Sequence, residues 1–291
     1  MLERYVLYLK ENDKSAVTIK TYMGEVKKLN VWILGQGLRD LLMVTPVDVQ
    51  EYRRNLQGLQ RKPATINKAL IVLKDFYRWC VEESFVATSP AQRVKLIERQ
   101  PQAPKWLERS EQLRLKRAIL QGKNEFNRLR DMAAVMLMMG AGLRVEEVID
   151  LALSDVEISE RRGKVIVREG KFRKYREVPL NAEVRQAITD YMAVRGVNKY
   201  GDVKILFLGQ RGPLVTRALQ HRVEKYGEQA KIEDLTAHSL RHTFCHELVA
   251  AGERLDVVAR LAGHKSINTT VLYTTPGEKD LANAVEKISW E

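Results

Sequence analysis

A short segment with two closely spaced prolines, 99–105, divides this chain of 291 residues. Pro101 and Pro104 restrict the backbone and remove two amide donors, and the residues around them show neither helical nor strand periodicity. A chain of this length exceeds what one typical hydrophobic core organises. We therefore predict two domains, 1–98 and 106–291, joined by a linker at 99–105.

The region before the linker has the apolar periodicity of amphipathic helices. Over residues 18–33, apolar side chains recur every three or four positions. Thr45, Pro46 and Asp48 predict a helix start, because each residue type suits the first turn or its positive end. A long helix is expected over 63–83. We predict a four-helix module, since this region carries no strand signal.

The region after the linker combines helices with short strands. An apolar helix over 129–139 ends at a Gly-Ala-Gly break, and a basic turn joins two predicted strands at 164–168 and 175–178. Residues 205–208 are expected to form another strand. Further helices are predicted over 216–229, 239–251, 255–262 and about 277–288. The predicted fold class is mainly α with a small β-sheet (α+β) in the C-terminal domain.

The charge balance favours a polyanionic partner such as nucleic acid. The formal net charge is +12 and the isoelectric point is about 9.6. A basic enzyme whose charge only aids solubility would have the same composition. Cys80 and Cys245 are the only cysteines, which argues against a disulfide framework. Since no apolar run approaches about 18 residues and the N-terminus lacks a secretory pattern, we expect a cytoplasmic protein without membrane contact.

A concentrated set of reactive side chains lies between positions 238 and 273. His238 and Arg241 are about one helical turn apart, so both can project from the same face. A guanidinium matches two phosphate oxygens, and an imidazole can transfer a proton near neutral pH. His264 and Tyr273 follow. A phenol needs cationic neighbours and a proton acceptor to act as a nucleophile, so the set suits attack on a phosphodiester.

A histidine row on the same predicted helix permits a metal site as an alternative. His238, His242 and His246 recur every four residues, with Cys245 nearby. Three imidazoles spread over two turns converge poorly on one ion, and Arg241 would repel a cation. We therefore predict no metal and no cofactor, and interpret His242 and His246 as packing or surface residues.

Two basic residues elsewhere are further candidates. Arg144 lies just after the Gly-Ala-Gly break, and Glu147 lies three residues later on the same helical face. This pair is either a structural ion pair or a carboxylate that holds the guanidinium in place for an anion. Lys171 lies in the basic turn between the two strands. Its ammonium group either contacts backbone phosphates or delivers a proton during catalysis.

At these residues the chain resembles the tyrosine recombinase (phage integrase) family, which includes Xer-like site-specific recombinases. The resemblance covers nearly the whole chain and implies a helical SAM-like core-binding domain followed by a tyrosine-recombinase catalytic domain. The turn departs from the family pattern at Phe172, where relatives commonly have glycine, and this leaves Lys174 as a substitute for Lys171. The motifs that carry the resemblance are Gly140 to Glu147, Gly170 to Leu180, His238 to Phe244, and Leu261 to Tyr273.

The resemblance implies a covalent route for cutting DNA. Arg144 and Arg241 would bind the nonbridging oxygens of the scissile phosphate. Tyr273 would attack the phosphorus and form a 3′-phosphotyrosyl link, which frees a 5′-hydroxyl. Covalent storage of the bond removes the need for ATP or a metal.

The same resemblance assigns the proton transfers. Lys171 would protonate the leaving 5′ oxygen, and His238 would accept or relay the tyrosine proton. His264 would hydrogen-bond the phosphate. The expected partners are double-stranded DNA recombination sites and further copies of the chain, as a tetramer on two sites. The C-terminal helix at 277–288 would dock on a neighbouring subunit, although it could instead fold back on its own domain.

Three other functions remain open at this point. A type IB topoisomerase-like nicking and closing enzyme would use the same reactive residues. A DNA-binding regulator without catalytic activity would use the same fold. A metalloenzyme built on the histidine row would depend on a divalent ion.

Overall fold

The computed structural model describes residues 1–37, 40–98, 104–169, 174–196, 203–264, 266–274, 285, 286 and 288. Their backbone is mainly helical with one small sheet, which confirms the predicted fold class. The chain divides into two compact units, Met1–Pro101 and Gln102–Glu291. Within the described ranges, none of the helices is both long enough and apolar enough to cross a membrane.

Four helices form the first unit, as the periodicity predicts. Thr45 and Asp48 make reciprocal hydrogen bonds at the start of the third helix, and Pro46 occupies its first turn. The core is rich in aromatic side chains, with Tyr5 and Trp79 both fully enclosed. The helices are α1 (Leu2–Glu11), α2 (Ala16–Gly35), α3 (Pro46–Gly58) and α4 (Pro63–Glu82), with a 3-10 turn at Leu41–Met43.

The second unit is larger and contains the described strands. Its helices are α5 (Arg109–Leu120), α6 (Glu125–Ala141), α7 (Val145–Asp150), α8 (Ala182–Arg195), α9 (Thr216–Gln229), α10 (Ala237–Ala250), α11 (Leu255–Ala262) and α12 (Asn268–Val271). A 3-10 turn at Leu153–Asp155 precedes the strands β1 (Val156–Ile158), β2 (Gly163–Glu169) and β3 (Lys174–Pro179). These strands form one antiparallel sheet in the order β1-β2-β3.

The prediction of a strand over residues 205–208 is wrong. Only Ile205 and Leu208 form isolated bridges there, and β1 supplies the third strand of the sheet instead. The amide of Leu206 donates to the carbonyl of Leu151, so the segment pairs with a loop. Leu206 is fully buried, and a short buried apolar run has the same composition whether it is a strand or an extended loop.

Two helices of the second unit were not predicted. Helices α5 and α8 have no counterpart in the sequence predictions, although Asn181 caps α8 with its side chain. Most of the predicted linker at 99–105 and most of the predicted helix at 277–288 lie outside the described residues.

Helix α6 occupies the middle of the second core and places the turn that follows it against α10. Residues 133–139 of α6 are all buried, and the helix packs against α8 and α10. It ends at Gly142, whose φ of +68° lies in the left-handed region that favours glycine. A Cβ atom there would lie 2.3 Å from the Phe244 ring of α10. Arg144, two residues later, therefore begins α7 close to α10.

Candidate active site

Arg241 is a buried cation on α10. The residue is 1% exposed, and its Nη1 donates a hydrogen bond of 2.6 Å to the carbonyl of Gly142. Its Nη2 donates to the carbonyl of Ala262. Burial and the neighbouring Arg144 lower the pKa of Arg241 to about 10, so the group stays charged at neutral pH. The two carbonyls hold this guanidinium in one orientation.

Arg144 is the more accessible arginine of the pair. Its Nη1 donates to Glu147 Oε1 at 2.8 Å, and its Nη2 donates to the carbonyl of Gly263 at 2.8 Å. The backbone amide of Arg144 donates to the other carboxylate oxygen at 2.7 Å. Its side chain remains 37% exposed. Glu147 thus holds the guanidinium in place while part of it faces solvent, as the three-residue spacing suggested.

Arg176 on β3 is a functional candidate that the sequence reasoning did not single out. Its Nη1 and Nη2 donate to the two oxygens of Glu147 at 2.9 and 2.8 Å. Burial alone would raise the pKa of Glu147, but hydrogen bonds from Arg176 and Arg144 outweigh it and lower that pKa to about 2. Arg176 shares a strand face with the buried Val178, and this two-residue spacing could have indicated an inward side chain.

Three guanidinium groups meet the end of α11. The successive carbonyls 261, 262 and 263 accept hydrogen bonds from Arg176, Arg241 and Arg144 respectively. The C-terminal carbonyls of a helix lack partners within the helix and carry partial negative charge, so cations stabilise them. Gly263 has a φ of +67°, and a Cβ there would lie 2.7 Å from Arg176 Nη1. The backbone conformation favours glycine at this position, and the absence of a side chain leaves room for the Arg176 guanidinium.

Three imidazoles surround this arginine cluster, and all are uncharged at neutral pH. Burial, followed by Arg241, lowers the pKa of His264 to about 4 and shifts the pKa of His238 downward. Burial, followed by His238, lowers the pKa of His242 to about 4. Nδ1 of His264 lies 2.8 Å from Thr270 Oγ1. Neutral imidazoles beside cations can accept protons, and this is what an attacking hydroxyl group needs.

Tyr273 follows α12 and is 5% exposed, packed against Phe244 and Cys245. Its hydroxyl oxygen forms a hydrogen bond with Nδ1 of His242. Burial raises the pKa of Tyr273 and Cys245 adds to the rise, whereas Arg241 opposes it. The phenol is therefore neutral in this structure and must lose its proton during any attack.

The structure brings five of the six predicted site residues into one region of the second unit. The sixth, Lys171, lies outside the described residues. The five are Arg144, His238, Arg241, His264 and Tyr273.

The interpretation of the two remaining histidines on α10 holds for one and fails for the other. His246 stacks on Trp106 with ring centroids 4.1 Å apart, which confirms its packing role. His242 is not merely a packing residue, because its ring nitrogen contacts the Tyr273 hydroxyl. Its place one residue after Arg241 and four after His238 was the available signal, but the tyrosine partner lies 31 residues away.

The charge of the cluster suits a phosphodiester. Three guanidinium groups, those of Arg144, Arg176 and Arg241, surround the carboxylate of Glu147, so positive charge exceeds negative charge in this cluster. Attack on a phosphodiester adds a second negative charge to the phosphoryl oxygens, and fixed cations stabilise that change without reorganising. Among the described residues, no three His, Cys, Asp or Glu side chains are grouped to hold a metal ion.

Comparison with known proteins agrees with this chemistry. The phage integrase family matches residues 105–279, and the SAM-like N-terminal domain of phage integrases matches residues 2–84. Tyrosine recombinase XerD of Corynebacterium glutamicum is 33% identical over 273 residues, which cover 91% of this chain and 89% of that protein. The TnP I resolvase of Bacillus thuringiensis is 26% identical, over 98% of both chains.

A solved structure shares the fold over nearly the whole chain. The XerH site-specific recombinase, in a post-cleavage complex with a palindromic difH substrate, superposes with a TM-score of 0.81 at 20% identity. The match covers 98% of this chain and 83% of that one. Together, the family matches over both units and the extent of similarity to XerD establish that the chain belongs to the phage integrase family of tyrosine recombinases.

Proposed function

We propose that this protein cuts and rejoins DNA strands at specific sites, with Tyr273 as the nucleophile of a 3′-phosphotyrosyl intermediate. The observation that carries the proposal is the convergence of the Tyr273 hydroxyl, three neutral imidazoles and the arginine cluster in one unit. Arg144 and Arg241 bind the nonbridging phosphate oxygens, and both are already held by main-chain carbonyls. This preorganisation lowers the cost of stabilising the transition state.

The remaining site residues complete the proposed reaction. His264 donates a hydrogen bond to the phosphate through the ring nitrogen that does not contact Thr270. His238 assists the transfer of the tyrosine proton, and Lys171 protonates the leaving 5′ oxygen. The 5′-hydroxyl of a partner duplex then attacks the phosphotyrosine, which restores Tyr273 and joins the new strand.

The assembly follows from the reaction. Exchange between two duplexes requires four cleavages, so we propose a tetramer on two DNA sites with the helix at 277–288 docked on a neighbouring subunit. We propose that the protein acts in the cytoplasm, where it meets DNA. The net charge of +12 favours binding to the phosphate backbone of DNA.

The decisive experiment traps the covalent intermediate. Duplexes that the protein selects from a random-sequence oligonucleotide pool are resynthesised with a nick beside the cleavage position, so that the cut strand dissociates. We expect a protein–DNA adduct on a denaturing gel with the native chain and none with Tyr273→Phe. Tyr226→Phe is the matched control, because Tyr226 is a buried tyrosine whose hydroxyl group donates a hydrogen bond to Asp131 and not to a residue of the proposed site.

The same protein and selected duplexes distinguish the alternative functions. Native protein that selects DNA but forms no adduct would be a DNA-binding regulator. Plasmid relaxation without product exchange between two sites would indicate a type IB topoisomerase-like enzyme. Loss of the adduct in a metal chelator would contradict the proposed mechanism.

A further inference from the structure

The imidazole of His242 contacts the hydroxyl group of the proposed nucleophile, Tyr273. Its Nδ1 is hydrogen-bonded to the Tyr273 hydroxyl oxygen, and the two ring centroids lie 5.4 Å apart. We infer that His242 is a catalytic residue that takes the proton of Tyr273 as the phenol attacks phosphorus. This inference rests on the proposed function and adds His242 to its mechanism as the proton acceptor.

The other two imidazoles are less well placed for this transfer. The ring of His264 lies parallel to that of Tyr273 at 6.3 Å between centroids, and its Nδ1 contacts Thr270. Because Thr270 occupies Nδ1 of His264, that nitrogen does not serve as the proton acceptor for Tyr273. His238 meets the ring of His242 edge to face, with centroids 4.2 Å apart. His238 therefore contacts the ring of His242 and can help to orient it.

The protonation state of His242 agrees with this role. Burial and the surrounding His238 and Arg241 lower its pKa to about 4, so one ring nitrogen is unprotonated at neutral pH. With its proton on Nε2, the imidazole presents the Nδ1 lone pair to the phenol O–H. A hydrogen bond that already exists needs no rearrangement of the acceptor before transfer.

The step balances in atoms and charge. The O–H bond of Tyr273 breaks, its proton moves to Nδ1 of His242, and the phenolic oxygen forms a bond to phosphorus. The bond between phosphorus and the 5′ oxygen breaks, and that oxygen takes a proton from Lys171. In the rejoining step the imidazolium of His242 returns its proton to the phenolic oxygen. The imidazolium forms as negative charge grows on the phosphate, so the two charges stabilise each other.

The test compares variants that remove the proton acceptor with one that keeps only a hydrogen bond. His242→Ala removes the ring, whereas the amide of His242→Asn can hydrogen-bond from about the Nδ1 position but does not take a proton at neutral pH. On the nicked duplex described above, we expect each variant to slow single-turnover adduct formation by about a hundredfold. Added imidazole should restore about tenfold of that loss in His242→Ala, because it supplies a diffusible proton acceptor.

Controls separate this role from a structural one. His246→Ala, one turn along α10, removes a ring that stacks on Trp106 and should leave the rate unchanged and insensitive to imidazole. Thermal unfolding and DNA-binding titrations show whether each variant folds and binds. If His242→Ala does not fold, His242→Asn decides the question.

Two results would overturn the inference. A native-like rate in His242→Asn would show that the residue only positions the tyrosine. Imidazole rescue of His238→Ala but not of His242→Ala would move the proton transfer to His238. In both cases the native protein would still form the adduct, so these outcomes differ from failure of the proposed function itself.

Discussion

The second unit contains two clusters of arginine and carboxylate that differ in what the adjoining tyrosine can do. In the first, Asp131 is fully buried and accepts hydrogen bonds from Arg130, Arg222 and Tyr226. We call it the closed cluster. In the second, which we call the open cluster, Glu147 accepts hydrogen bonds from Arg144 and Arg176. Nη1 of Arg241 lies 3.8 Å from Oε2 of Glu147.

The two tyrosines show the consequence. Burial, then the adjacent Asp131, raises the pKa of Tyr226 to about 12, because a carboxylate disfavours a second negative charge. Beside the open cluster, burial and then Cys245 also raise the pKa of Tyr273, but there the cationic Arg241 opposes the rise. The hydroxyl group of Tyr273 also contacts a neutral imidazole that can accept its proton. The same residue types thus form a structural network in one place and a candidate reaction centre in the other.

Replacing the central carboxylate of each cluster should give the largest difference in activity between the two clusters. Asp131→Asn and Glu147→Gln each leave buried arginines without their counter-charge, and we expect each to lower the free energy of unfolding by about 3–5 kcal/mol. Chemical denaturation measures that loss. Adduct formation per folded molecule should stay native in Asp131→Asn and fall in Glu147→Gln. Equal activity in both variants would mean that the open cluster is only structural.

Truncating one arginine in each cluster tests charge rather than folding. Arg144→Ala removes a donor aimed at the proposed phosphate site, and we expect cleavage to slow by about 10²–10³-fold. Arg222→Ala removes a comparably exposed arginine from the closed cluster and should leave the cleavage rate unchanged. Single-turnover rates at saturating protein give the comparison. A similar slowing in both variants would contradict a specific role for Arg144 in cleavage.

The open cluster should also respond to acid in a defined direction. The pKa of Glu147 is lowered from 4.5 to about 2 in the folded protein, so its ion pairs stabilise the fold fully above about pH 4.5. That contribution, about 3 kcal/mol, declines as the pH falls from 4.5 through 2. The difference in unfolding free energy between the native chain and Glu147→Gln should therefore shrink below pH 4.5. A difference that stays constant down to about pH 3 would contradict this.

The smallest expected effect concerns the orientation of His264. Thr270→Val removes the hydroxyl that contacts Nδ1 of His264 and keeps the shape of the side chain. We expect a loss of about 1 kcal/mol in transition-state stabilisation, or roughly fivefold in cleavage rate. Thr243→Val is the control, since its buried hydroxyl bonds the main chain of Ser239 and Leu107. An equal change in rate for both would exclude a specific effect through His264.

Local patterns in the chain predicted much of the fold. The apolar spacing over α2 and α4 and the cap at Thr45 have local causes, so the sequence was sufficient for them. Helix α8 was missed although Asn181 caps it and buried residues recur along it, at Val184, Ile188 and Tyr191. The signal was present there. At 205–208 the sequence carried no such signal, because a buried strand and a buried extended loop are both short apolar runs.

Motifs that resemble those of a known family, in the same order, already indicated the family and the candidate site residues. The apolar spacing and the proline-containing segment indicated a mainly helical chain in two parts. The partners of those residues depended on packing. Arg144 meets Gly263 across 119 residues, and Tyr273 meets His242 instead of His238. Such contacts arise because α10 packs against both α6 and α11. Spacing along the chain does not predict which residues meet there.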